Sequence, residues 1–388
     1  MKNIMAVIIV LLSVTVSSSQ GRKSKKEISV PMESVYWHYQ PEQVEFITHR
    51  SVPAMRSKNG FLQVYLKDII FTNGTIEYDV ELTGMGFPGI FFRTSVDSLS
   101  GEHFYIRSFG PVSPLTRTTL QYDAVINGVS TWDLTDDYQT GASVYQEGWN
   151  HVKLVVSGKQ MKVYVNDMQN AAMHVPNLEG MSNSGSISLN GNVIYSNLVI
   201  RPDHVEGLIP EGGYDPTQYD PRYLRNWRVT KPVDFPYGRE VIRKFPPYYG
   251  DAIISDLPDS TAEWNPVKAG HRALVNLTDQ IGMTKPGERK LVWLKTSITS
   301  DTTQLRRLDL GFSDEVWVFI NGQLLHTDKN IYGTPGAKEP GGRCTIENAS
   351  VELPLIKGDN EILIGLANDF YGGGIIARLD KTDGLDFK

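Results

Sequence analysis

The chain has 388 residues, 38 Lys and Arg against 44 Asp and Glu, a formal net charge of -6 and one cysteine, Cys344. Mild acidity spread without blocks argues against nucleic acid or an anionic membrane surface as partner. A lone cysteine excludes an internal disulfide, so about two or three domains must be held together by burial alone.

At the N-terminus, Met1-Lys2-Asn3 precedes an apolar run from Ile4 to Val16 and then Ser17-Ser18-Ser19-Gln20. A basic start, an apolar stretch too short to span a membrane and small residues before a polar one predict an export signal over 1–19. No Cys follows it for lipid attachment. A soluble protein of the periplasm or medium is expected, with no membrane insertion. Arg22-Lys23-Ser24-Lys25-Lys26 opens a basic, mobile tail over 20–32.

Residues 33–202 read as a first β-sandwich, with strand-like runs at 61–64, 75–82, 89–94, 103–109, 119–126, 186–189 and 197–200. Its plainest element is a hairpin. Val152, Leu154 and Val156 alternate with His151, Lys153 and Val155, and Met161, Val163 and Val165 resume the period after the turn Ser157-Gly158-Lys159. Such alternation belongs to half-buried strands. Residues 203–223, containing Pro210-Glu211-Gly212-Gly213-Tyr214-Asp215-Pro216, read as a linker stiffened by its prolines. A second sandwich is expected over 224–388, with strands at 290–298, 305–310, 315–320, 350–353 and 361–366. Asn321-Gly322 is a strong hairpin signal because both turn positions need positive φ. The Pro/Tyr-rich segment 232–264 has no period and is expected to wrap the sandwich. The fold class predicted is all-β: two jelly-roll sandwiches in tandem.

Several segments resemble known families. Gly89-Ile90-Phe91-Phe92-Arg93, Phe104-Tyr105-Ile106-Arg107, Asn127-Gly128-Val129-Ser130-Thr131-Trp132 and Trp149-Asn150-His151-Val152-Lys153 make the first region similar to the concanavalin A-like (laminin-G-like) sandwich. Within it, the region resembles the 3-keto-disaccharide hydrolase-like group of exported bacterial proteins. Gly311-Phe312-Ser313-Asp314-Glu315-Val316-Trp317, Leu353-Pro354-Leu355-Ile356-Lys357-Gly358-Asp359-Asn360-Glu361 and Phe370-Tyr371-Gly372-Gly373-Gly374 make the second resemble the galactose-binding-like jelly roll. These resemblances imply a module that binds sugar, or one that braces a neighbour. They also leave room for a structural calcium, although no other cofactor is expected.

Three constellations are candidates for chemistry. Glu77, Asp79 and Glu81 match the E-x-D-x-E pattern of laminarinase-type glycosidases and share one strand face. Their position near the start of the domain makes three solvated, non-catalytic acids the simpler account. Next, His103, Tyr105 and Arg107 share a face, joined by Arg93, Gln121 and Asp123 on neighbouring strands and by Trp132 at the edge. An aromatic among Arg, His, Asp and Gln suits a sugar, with a flat apolar surface and paired hydrogen bonds. The competing account is a structural polar face or an interdomain contact. Two cations side by side favour an acidic sugar, with Asp123 offsetting one of them. Lastly, Trp317, Tyr332, Asp369, Phe370 and Tyr371, beside three glycines, form either a second sugar site or a tight turn closing the jelly roll. The eight histidines fall in no metal-binding spacing, and no nucleophile elbow, phosphate loop or dinucleotide fingerprint occurs. Asn73, Asn276 and Asn348 stand in glycosylation sequons.

The function expected is exported, non-catalytic binding of a poly- or oligosaccharide by the first sandwich, with the second as accessory. A glycan-degrading enzyme of 3-keto-glycoside hydrolase-like, glycosidase or lyase type, with its site on the first sandwich, is the alternative. A structural protein of the envelope is the third class.

Overall fold

The computed structural model describes residues 27–110, 113–244, 253–282 and 288–387. The expected export signal and the basic cluster lie outside the described residues. The tail expected over 20–32 is corrected at its end. Ile28–Val30 is a strand paired with Leu198, Val199 and Ile200, because its alternating apolar residues complete a sheet edge.

Two eight-stranded antiparallel sheets make the first sandwich. The strand Gly74–Leu82 is central to one of them, between Asn150–Ser157 and Val193–Pro202. In the other, Gly101–Ile106 lies between Gly89–Thr94 and Leu120–Ile126. Alternation decides which side chains meet. Val152, Leu154, Val156, Phe104 and Ile106 fill one continuous core. The hairpin of Val44–His49 and Val52–Ser57 carries no Gly signal, since Arg50 and Ser51 take the positive φ of its turn.

An eight-stranded and a four-stranded sheet enclose a separate second core that includes Val292, Leu308, Val318, Leu353 and Ile364. The Asn321-Gly322 turn joins Asp314–Ile320 to Gln323–Asn330 with φ of 48° and 79°. Phe235 and Val241, from the segment without period, cover Trp293 and Trp317 on the outer side of the larger sheet.

Between the sandwiches the chain is tightly tied. The linker packs back on the first sandwich, with Lys159 N donating to Pro210 O at 2.8 Å and Gly213 N to Pro176 O at 2.7 Å. Leu134, from the loop after Trp132, is buried among Ala273, Leu274, Cys344 and Ile376 of the second. Arg272 of the second donates to Leu134 O at 3.0 Å and to Glu179 Oε1 at 2.8 Å. Among the described residues no helix is long and apolar enough to cross a membrane.

Candidate functional site

The site begins on the strand Gly101–Ile106. His103 and Tyr105 point away from the core that takes Phe104 and Ile106, and Arg107 continues their row. Register brings Phe91 and Asp123 to either side of His103, and Gly89 and Gln121 to either side of Tyr105. A Cβ on Gly89 would stand 2.7 Å from Tyr105 Cβ, so only glycine lets that side chain rise there.

Each polar side chain on this face is held by another. His103 Nδ1 lies 2.8 Å from Asp123 Oδ1, and the Ser130 hydroxyl donates to the other Asp123 oxygen. The imidazole stacks on Phe91 at 3.8 Å between centroids, with Tyr105 at 4.7 Å. Its Nε2 is buried without a partner. Arg107 donates to Gln121 Oε1 and to the Tyr105 hydroxyl at 3.2 Å, and its guanidinium lies over Phe87 at 5.2 Å. Those partners are all neutral. Burial holds the Tyr105 phenol well above its ordinary pKa, so it stays protonated.

A second wall comes from the other sandwich. Trp132 meets Tyr332, Phe370 and Tyr371 edge to face, at 5.0, 6.1 and 5.7 Å. Asp314 fixes the loop bearing Phe370 by accepting from Asp369 N at 2.8 Å and Phe370 N at 3.0 Å. Asp133, from the first sandwich, accepts from Gly372 N at 3.0 Å. Burial raises both carboxyls, Asp314 to about 6. Arg343 lies over the Trp132 ring at 4.8 Å, and its pKa is lowered by burial and by the nearby Arg107. The two walls enclose a cleft of about 410 Å³.

The two candidate sites of the sequence are therefore largely one. His103, Tyr105, Arg107 and Trp132 line the cleft together with Tyr332, Phe370 and Tyr371. Gln121 and Asp123 lie fully buried beneath it and position Arg107 and His103 instead of facing a ligand. Asp369 adjoins the wall but does not line the cleft.

Arg93 does not belong to this face. It donates to Thr72 O, Gly158 O and Asn73 Oδ1 at 2.8–2.9 Å. A bulge with Arg93 at φ 52° breaks the alternation and turns its side chain away. Trp317 is also elsewhere, buried against Phe235 with Nε1 donating to Glu240 Oε2 at 3.1 Å. Phe87, Phe91 and Asn190 also line the cleft and were not among the expected site residues, while Arg343 lies behind Trp132 without lining it. Phe91, two residues before Arg93, reaches this face by plain alternation ahead of the bulge.

Glu77, Asp79 and Glu81 share a face, but they are not freely solvated. Glu77 pairs with Arg201 at 2.6 Å, Asp79 with His151 at 2.7 Å, and Glu81 with Arg50 at 2.8 Å and His49 at 2.9 Å. Their strand belongs to the sheet that does not form the cleft. Among the described residues no group of three His, Cys, Asp or Glu side chains is placed to hold a metal ion.

Fold and cleft together define an all-β protein of two sandwiches with an aromatic, cationic cleft between them. No family model matches the chain, and no curated protein does. Similar solved structures include the carbohydrate-binding module CBM66 of Bacillus subtilis, at 15% identity over 43% of this chain and 92% of that one, TM-score 0.32. The Bacillus licheniformis beta-glucanase matches at 10% identity over 46% of this chain and 99% of that one, TM-score 0.33. The exoplasmic/lumenal domain of VIP36, in its Ca2+/Man3GlcNAc-bound form, matches at 12% over 47% and 90%, TM-score 0.31. At these scores, what those proteins bind or cleave carries no weight for this chain.

Proposed function

We propose that this is an exported carbohydrate-interacting protein whose cleft between the sandwiches holds an acidic poly- or oligosaccharide without cleaving it. One observation carries the reading. The aromatic walls of the cleft are joined by His103, Arg107 and Asn190, whose Nε2, Nε and Oδ1 make no hydrogen bond within the protein. Folded proteins rarely leave such atoms unpaired. A sugar supplies hydroxyls for them and a flat C–H face for the rings. Arg107 has only neutral partners, so an acidic group on the sugar offsets its charge. The second sandwich contributes a wall of the site and is more than an accessory.

A glycan array on the mature protein, followed by calorimetry, tests this. Arg107→Gln is expected to weaken binding by about 1–3 kcal/mol, the scale of a lost charged hydrogen bond. Its melting temperature should barely move, because Arg107 is held by neutral groups at the edge of the face. Wild-type protein that binds no glycan on the array would sink the proposal.

A second reading follows from His103. A histidine oriented by a buried carboxylate, with its other nitrogen unpartnered beside a cleft, is the arrangement of a general base. A glycan-degrading enzyme would use it. The described lining residues include no carboxylate, so the two-carboxylate glycosidase mechanism has no groups there. Turnover by wild type that vanishes in His103→Gln, with binding retained, would establish this reading over the first.

A further inference from the structure

We infer that a second, uncharged sugar subsite adjoins the cleft, so that the ligand is a glycan chain lying across the strands. This rests on the cleft holding a sugar. A smaller cavity of about 140 Å³ continues from the cleft and shares Phe91 and Val125 with it. Strand register sets the direction. Tyr65 stands opposite Ser188, Ser188 opposite Phe91, and Phe91 opposite His103, all in one row perpendicular to the strands. Neighbouring strands lie about 4.8 Å apart, so Tyr65 sits roughly 14 Å from His103, further than one sugar ring reaches.

The chemistry of this row is that of a neutral sugar. Tyr65 is a large ring left 41% exposed. Gln63 and Ser188 are hydrogen-bonded to each other at 3.3 Å along its edge. Thr94 Oγ1 is buried without a partner and lines the cavity. Among the described residues, no charged side chain lines it. A carboxylate placed there would lose water and gain no cation, which is costly. Arg107, which lines the cleft four residues along the strand from His103 and outside this row, favours an anion. The ligand that fits both is a mixed chain, with an acidic residue in the cleft and a neutral one over Tyr65. An acidic homopolymer fits only half of it.

Calorimetry with three probes tests this: free glucuronate, a xylo-oligosaccharide capped by glucuronate, and an oligogalacturonide of the same length. The capped oligomer is expected to bind wild type at least about tenfold tighter than glucuronate, or about 1.4 kcal/mol. Tyr65→Ala should erase that gain and leave glucuronate binding unchanged, whereas Arg107→Gln should weaken both. A gain that survives in Tyr65→Ala overturns the subsite, as does an oligogalacturonide that binds as tightly as the capped oligomer. In either case the cleft reading stands. Wild type that binds none of the three removes the cleft reading, and the subsite with it.

Discussion

Arg93 and Arg107 are the same residue type fourteen positions apart, and backbone geometry gives them opposite roles. Arg107 keeps its place in an alternating row and faces the cleft. Arg93 sits at positive φ in a bulge, is 1% exposed, and satisfies two carbonyls and an amide oxygen. Removing its guanidinium takes the side-chain donor from the Thr72 and Gly158 carbonyls, whereas Asn73 Oδ1 still accepts from Gly158 N, and each unsatisfied buried group costs about 1–3 kcal/mol. Arg93→Met is therefore expected to lower stability by about 2 kcal/mol or more in denaturant unfolding, with glycan affinity unchanged where the protein is folded. A drop in affinity without a drop in stability would return Arg93 to the site.

At the scale of the element, the strand Gly74–Leu82 turns its acids onto a polar face where each finds a cation or a histidine. Glu81 is the most strongly affected. Its hydrogen bond from Arg50, aided by His49, lowers its pKa to about 2. A carboxyl whose folded pKa is depressed contributes stability above its unfolded pKa, and that contribution is lost as pH falls toward the folded value. The loss should therefore run from about pH 4.5 down to about 2. Arg50 is half exposed and screened by water, so the contribution is worth only about 1 kcal/mol. Glu81→Gln should flatten the acid limb of stability between those values, read by urea unfolding at several pH values, and leave ligand binding alone. An unchanged acid limb would show that the pairing contributes nothing.

The whole molecule forms the site by docking one sandwich on the other. Gly372 lies where the two meet, and a Cβ there would stand 2.7 Å from Leu134 Cγ and 2.9 Å from Asp133 Oδ1. Both neighbours are buried, so the added atom must push the loop bearing Phe370 and Tyr371 off Trp132. Overpacking of this kind costs about 1–3 kcal/mol. Gly372→Ala is expected to lower the melting temperature and to weaken glycan binding, although every first-sandwich side chain in the cleft is intact. Full affinity in this variant would mean that the second wall is dispensable.

Much of the site could be read locally. His103, Tyr105 and Arg107 share a face because successive side chains on a strand point to opposite sides, and that period is written in the sequence. The same grammar of alternation and turns determined the all-β class, the Asn150–Ser157 hairpin and the Asn321-Gly322 turn. What the tertiary structure decided was which faces meet. Trp132 and Phe370 are 238 positions apart, and no local period relates them. The bulge at Arg93 removed that arginine from the face on which Phe91, two residues earlier, remains, since one extra residue in a strand flips every later side chain until the register is restored. Arg343 came to stack on Trp132 from a loop without a period, buried against a tryptophan of the other sandwich. Turn and strand preferences act over a few residues, whereas docking depends on the shapes of two finished surfaces.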